Sequence, residues 1–147
     1  MKKGIDYIGV GTGALIFNDE GQVFLAQRGP KSRNEVGKWD FPGGCVEFGE
    51  TCEDAVIREV KEEFDMDIEI IELLMVVNHI LPEEKQHWVS PAFIAKYTGG
   101  ETKIMEPEKC SGFKWVEISE IKPEELSSSS RLNYEKFLEK YEIEKRF

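Results

Sequence analysis

The segment Arg58-Glu59-Val60-Lys61-Glu62-Glu63 collects groups that can do chemistry together. On a helix, Glu59, Glu62 and Glu63 stand at i, i+3 and i+4 and point to one side. Like charges at that spacing destabilise a helix by roughly 0.2–0.5 kcal/mol per pair. A hard divalent cation with oxygen ligands is the natural counterweight. Such a cation suits phosphoryl chemistry, because it neutralises phosphate charge, polarises the phosphorus–oxygen bond and lowers the pKa of a bound water. Glu47 and Glu50 lie just ahead, close enough in sequence to act as a base or to support the ligands. Arg58 precedes Glu62 by four residues and balances part of the negative charge. Gly43, Gly44 and Gly49 allow backbone to approach a ligand closely or to take a positive φ. Arg28, at a strand end, can reach a phosphate. The ordinary alternatives are a solvated acidic helix face, glycine turns, and packing roles for Trp39 and Phe41. His79 and His87 read as plain strand residues, and Cys45 and Cys52 as bystanders.

These residues need elements to position them. Residues 7–17 and 22–28 read as two strands joined by the turn Asn18-Asp19-Glu20-Gly21, a hairpin. Residues 29–38 are polar, with glycine and proline, and read as a loop that shapes a site. Residues 39–42 are extended, as the proline after Phe41 requires. Thr51 with Asp54 predicts a capping box, and Glu53 and Asp54 favour the same helix N-terminus. Val56, Ile57, Val60 and Phe64 form the apolar side of that helix, which ends near Asp65. Residues 68–79 and 87–98 predict strands around a turn at 81–85, and 113–116 a short strand. A short helical turn follows within 118–126. The serines 127–130 cap a last helix over 131–141, whose apolar side is Leu132, Phe137, Leu138 and Tyr141. No βαβ repetition occurs, which predicts a mixed sheet between helices.

The chain of 147 residues is the length of one domain, and its 40% hydrophobic content supports a core. With 19 basic and 29 acidic residues the net charge is −10, which argues against binding nucleic acid or an anionic membrane through the overall field. An acidic protein still takes an anionic substrate when metal ions stand between them. Cys45, Cys52 and Cys110 are an odd number without a Cys-x-x-Cys pair, which fits reduced thiols in a cytoplasmic protein. The two histidines form no zinc cluster with them. No signal peptide or membrane span is read at the N-terminus.

The full spacing goes further. From Gly44 the chain runs five residues to Glu50, then seven to Arg58-Glu59-Val60, then Glu62-Glu63, Asp65 and Met66. This resembles the Nudix box, G-x5-E-x7-R-E-U-x-E-E-x-G-U with U aliphatic. One defined position departs: Asp65 stands where the family has glycine. Aspartate tolerates the left-handed conformation expected there. The resemblance spans most of the chain. W-D-F-P-G-G, V-V-N-H-I, H-W-V-S and E-P-E-K-C-S-G-F-K-W-V are similar to the nucleoside-triphosphate diphosphatases of this MutT-like family.

The resemblance implies a single domain over 1–147, an α/β/α sandwich with a mixed sheet, and cleavage of a nucleoside diphosphate linked to another group. It implies Mg²⁺, or Mn²⁺, as cofactor. Glu59, Glu62 and Glu63 become metal ligands, joined by the carbonyl of Gly43 or Gly44. Arg58 bridges to Glu50. The base stays open among Glu59, Glu62, Glu106 and Glu108. Arg28, Phe41, Gly43 and Gly44 are the expected substrate contacts, and the loop 29–41 with strands around 79–93 is expected to recognise the nucleobase. The expected reaction is nucleoside triphosphate plus water to nucleoside monophosphate and pyrophosphate, on standard or modified nucleotides. An ADP-ribose or nucleotide-sugar pyrophosphatase is the alternative, suggested by Pro82, sixteen residues after Met66. The expected partner is a nucleotide, with neither nucleic acid nor membrane; a homodimer follows from the family resemblance alone. A non-catalytic sensor would be expected to have lost box carboxylates, and none is lost.

Overall fold

The computed structural model describes residues 1–146, with 142–146 described only as helix backbone. Its strands are β1 (Gly9–Phe17), β2 (Val23–Arg28), β3 (Trp39–Asp40), β4 (Gly43–Cys45), β5 (Asp67–Leu81), β6 (Gln86–Gly99) and β7 (Cys110–Val116). The helices are α1 (Cys52–Phe64) and α2 (Ser128–Arg146). Short 3₁₀ turns occupy Pro82–Glu84, Ile118–Glu120 and Pro123–Glu125.

The strands form a seven-stranded mixed sheet ordered β3-β2-β1-β6-β5, with β4 added on β1 and β7 on β2. The expected β1–β2 hairpin pairs only next to its turn, at Phe17 and Val23. Beyond that point β1 takes β4 as its antiparallel neighbour, with Gly11 opposite Cys45 and Gly13 opposite Gly43. Meanwhile β2 takes β3 and β7. The other side of β1 runs parallel to β6, and β5 and β6 form a long antiparallel hairpin. β4 therefore sits where the β1–β2 pair has opened, and it leads directly into the box helix.

The two helices cover opposite faces. Val56, Val60 and Phe64 of α1 pack with Ala14, Ile16, Phe24, Met66, Phe93 and Ala95. The valine, isoleucine, phenylalanine and methionine side chains among them contribute about 1.5–3 kcal/mol each when fully buried. Tyr134 of α2, with half-buried Phe137, Leu138 and Tyr141, packs with Leu15, Leu25, Phe41, Leu74 and Ile94. The result is the expected α/β/α sandwich. Two helix faces differ from expectation in detail. Ile57 and Leu132 are exposed, and Ala55 and Tyr134 take the buried positions.

The α1 boundaries follow local chemistry. Thr51 has extended φ/ψ, and its side chain accepts from the Asp54 N–H (3.0 Å). At the other end Asp65 is left-handed (φ 56°, ψ 34°), and its N–H reaches the Lys61 carbonyl. Lys61 and Lys103 neutralise its carboxylate at 3.2 and 3.8 Å. α2 starts inside the serine run, earlier than expected. Its first N–H, at Ser128, is capped from outside by Glu35 Oε1 at 3.0 Å, a partner that no local pattern could show. Among the described residues, no helix is long and apolar enough to cross a membrane.

Candidate active site

β4 and α1 meet at the turn 46–51, and Arg58 binds that turn to the helix. Its Nη2 donates to Glu50 Oε1 (2.7 Å) and to the Cys45 carbonyl (3.0 Å), while Nε donates to Glu50 Oε2 (3.1 Å). This two-pronged contact holds the Glu50 carboxyl below its ordinary range, the Arg58 hydrogen bond being the main cause. In turn it raises the Arg58 guanidinium further above its own. Nη1 donates to Glu59 Oε1 (3.1 Å) and Glu62 Oε2 (3.2 Å). The bridge that the resemblance implied between Arg58 and Glu50 is therefore present, and it extends to two of the box carboxylates.

The glycine pair, which lines the cleft, also has a packing role. A side chain on Gly43 would overlap the Thr12 carbonyl of β1, and one on Gly44 would overlap the Glu59 carboxyl. Gly43 must be bare for β4 to lie against the β1 backbone, and a bare Gly44 leaves room for the Glu59 side chain of α1. Gly49 does take a positive φ, 92°.

A cleft opens beside β4. One compartment is lined by Glu59, Glu63 and Glu106 and by Lys31, Arg33 and Lys109, with Gly43, Gly44 and Phe41 forming part of its wall. Glu63 is half-buried, and its carboxyl is pushed up to about 9. Burial is the largest cause, followed by its hydrogen bond with Glu59 and the charges of Glu59 and Glu106, partly offset by Lys109. Three carboxylates thus crowd a site too dry and too negative for all of them to ionise unaided. Oxygen donors with this surplus of negative charge fit a hard divalent cation. Among the described residues, no three His, Cys, Asp or Glu side chains converge into a finished ligand cage. Glu59 and Glu62 are turned onto Arg58 instead, the nearest positive charge.

The structure brings some expected residues together and separates others. Glu59, Glu63, Gly43 and Gly44 line the cleft. Glu62 is 59% exposed, at the outer side of the Arg58 cluster. Glu106 reaches the cleft and pairs with Lys109 at 3.6 Å. Glu108 is exposed and does not line it; its backbone carbonyl accepts from the Lys31 N–H (3.0 Å). Arg28 lines the cleft as well and is held there by contacts within the protein. It donates to Asp40 Oδ2 (2.7 Å), the Asn34 carbonyl (2.8 Å) and Asn34 Oδ1 (3.0 Å), and so braces the loop 29–38. Phe41 is only 6% exposed and belongs to the core under α2, so it is a wall and not a stacking platform. Pro82 opens the 3₁₀ turn at the tip of the β5–β6 hairpin, which accounts for it structurally.

Sequence reasoning did not single out Lys31, Arg33 and Lys109. Lys109 lies within the E-P-E-K-C segment, whose backbone docks on the other loop: Gly29 N–H donates to the Lys109 carbonyl at 2.8 Å. That contact places all three cations around one opening, and a single sequence has no signal for it.

A fold of this kind, with a box matched at every defined position but Asp65 at the sheet–helix junction, defines a hydrolase of the Nudix class. A family model described as the NUDIX domain matches residues 8–137, and the chain belongs to that family. It is 33% identical over 130 residues to an RNA pyrophosphohydrolase of Erythrobacter litoralis, covering 74% of this chain and 76% of that one. It is 35% identical over 121 residues to a nudix hydrolase of Caenorhabditis elegans, covering 80% of this chain but only 31% of that relative's length. Among solved structures, a MutT Nudix hydrolase from Burkholderia pseudomallei superposes with a TM-score of 0.80 at 33% identity, covering 89% of this chain and 98% of that one.

Proposed function

We propose that this chain is a Mg²⁺-dependent pyrophosphohydrolase that converts nucleoside triphosphates, standard or modified, to nucleoside monophosphates and pyrophosphate. One observation carries the reading. The cleft has an acidic floor of Glu59, Glu63 and Glu106 under a rim of Lys31, Arg33 and Lys109. A polyphosphate chain bridged to carboxylates by divalent cations, with its outer oxygens on lysine and arginine, matches that layering.

Glu59, Glu62 and Glu63, with the Gly44 carbonyl, would hold the cation, which supplies charge neutralisation and a more acidic water. Arg58 keeps Glu50, Glu59 and Glu62 in register with the β4 turn. Lys31, Arg33 and Lys109 bind the phosphate oxygens and offset the charge that develops as the phosphoanhydride breaks. The water oxygen joins phosphorus, the bridging oxygen between α and β phosphates leaves with one product, and the water's proton passes to a carboxylate. Of the four open candidates for that base, Glu59 and Glu106 line the cleft, whereas Glu62 and Glu108 do not. Comparing Glu59→Gln with Glu106→Gln assigns the role. The variant lacking the base loses turnover by about 10²–10⁴-fold, and near-normal turnover in Glu106→Gln places the base on the helix.

The substrate class is tested by incubating the protein with NTPs, dNTPs, ADP-ribose, nucleotide sugars and a 5′-triphosphorylated RNA, with Mg²⁺ and with EDTA, and identifying products by chromatography. Nucleoside monophosphate and pyrophosphate, formed only with Mg²⁺, are expected. Cleavage of ADP-ribose to AMP and ribose phosphate, with NTPs untouched, would sink the proposal in favour of the ADP-ribose reading.

A further inference from the structure

The loop 29–38 carries Lys31 and Arg33, two of the three cations at the rim of the cleft. Its two limbs are anchored differently. The outgoing limb docks on the segment 106–110 through backbone: Gly29 N–H donates to the Lys109 carbonyl (2.8 Å) and Lys31 N–H to the Glu108 carbonyl (3.0 Å). The returning limb is held by side chains. Arg33 Nη1 and Asn34 Nδ2 donate to Gln86 Oε1 (3.1 Å) and Glu84 Oε2 (3.3 Å) at the hairpin tip, and Lys38 Nζ donates to the Glu124 carbonyl (2.7 Å). Between them Glu35 reaches α2. Its Oε1 accepts both the Ser128 N–H (3.0 Å) and the Ser128 hydroxyl (2.7 Å).

Two features set the Glu35 contact apart. The backbone there is left-handed, φ 51°, a region that is unfavourable for a residue with a Cβ and that glycine enters freely. A glutamate nonetheless stands at this point, and its carboxylate meets the start of α2, where the helix dipole favours negative charge. The contact is also part of a larger one made by the serine run. The Ser127 and Ser130 hydroxyls both donate to Asp40 Oδ1, and Ser130 Oγ accepts the Phe41 N–H (3.1 Å). Four serines that read in sequence only as a helix cap therefore clasp the loop at Glu35 and β3 at Asp40, just ahead of Gly43 and Gly44 in the cleft wall.

We propose that Glu35, through Ser128, is a positioning residue of the hydrolase reaction: the clasp fixes the returning limb and so keeps Lys31 and Arg33 at the cleft rim. This rests on the reading of those cations as phosphate-binding groups. It adds that α2, remote in sequence from the box, governs phosphate binding without touching phosphate. With the clasp broken, the limb must be ordered each time a polyphosphate binds. The cost falls on forming the complex, so KM rises and kcat is retained.

The contact can be broken from either side. Glu35→Gly removes the carboxylate and suits the left-handed backbone. Ser128→Pro removes both donors at the first helical position, where proline is accepted. In steady-state kinetics on a nucleoside triphosphate with Mg²⁺, each variant should raise KM about tenfold, the low end for hydrogen bonds to a charged group, with kcat little changed. The double variant should be no weaker than either single one, because all three lose the same contact. Glu35→Gln, which keeps an acceptor oxygen, should recover part of the loss. KM, unlike apparent kcat, does not depend on how much of the protein is folded. Amide hydrogen exchange of the ligand-free protein needs no substrate: the Gly37 and Lys38 amides should exchange about tenfold faster in Ser128→Pro, with β5 and β6 unchanged. A wild-type KM in both single variants, or wild-type loop exchange in Ser128→Pro, overturns the proposal. A wild type that hydrolyses no triphosphate overturns the substrate reading instead, and the exchange rates still decide whether the clasp holds the loop.

Discussion

Glu63 shows how far a single side chain's environment can be shifted by its neighbours. Its folded-state carboxyl is raised to about 9 from an ordinary 4.5, first by burial and then by Glu59 and Glu106. A raised carboxyl contributes stability that is fully present below its unfolded value and is lost as pH climbs through the folded one. The metal-free protein should therefore lose stability between about pH 4.5 and 9. Glu63→Gln should remove most of that slope and stabilise the metal-free chain at pH 8 by on the order of a few kcal/mol. Thermal melts in EDTA across this range check it, and a slope equal to wild type's contradicts it. Arg58 makes the converse point. Its fork grips Glu50 through two donors and still reaches Glu59 and Glu62. A lysine offers one point charge and no fork. Arg58→Lys should lower kcat by roughly 10- to 100-fold with a cooperative melt preserved, measured by turnover and circular dichroism; wild-type kcat would remove the positioning role.

At the scale of elements, the box is a junction between a strand and a helix, and much of it was readable. Thr51, Asp54 and Asp65 fix the ends of α1 through local backbone chemistry, and the apolar spacing of Val56, Val60 and Phe64 names its buried face. The glycines were readable as points of ligand approach or positive φ, but not the closeness of Thr12 to Gly43 and of Glu59 to Gly44, which only the fold creates. The brace made by Arg28 was hidden for the same reason: its partners Asn34 and Asp40 become neighbours only when the loop 29–38 folds back. The Gly43 contact gives a direct test. Gly43→Ala forces β4 away from the β1 backbone, and should destabilise the protein by at least about 1–3 kcal/mol and abolish turnover. Denaturant melts that coincide with wild type's would show that β4 is not seated as described.

Over the whole molecule, the site is assembled from three distant stretches. The box supplies carboxylates, the docked loops 29–38 and 106–110 supply cations, and α2 with the β5–β6 hairpin walls the cleft beyond β4. The loops meet through backbone contacts such as Lys31 N–H to the Glu108 carbonyl, and α2 is locked to the first loop through Glu35 and Ser128. Such pairings depend on topology, which explains why the reaction class could be read from one segment while the cationic rim could not. The same topology gathers part of the chain's excess negative charge in one place: Glu59, Glu63 and Glu106 line one cleft, with Arg58 and Lys109 offsetting part of it.

The central claim is the proposal that Glu59, Glu62 and Glu63 hold a divalent ion. Titrating Mn²⁺ into wild type and Glu63→Gln, and following the free-ion signal by electron paramagnetic resonance, tests it most directly. The account predicts saturable binding to wild type and at least a tenfold weaker constant in the variant. Equal affinities, or no binding to wild type, would contradict it.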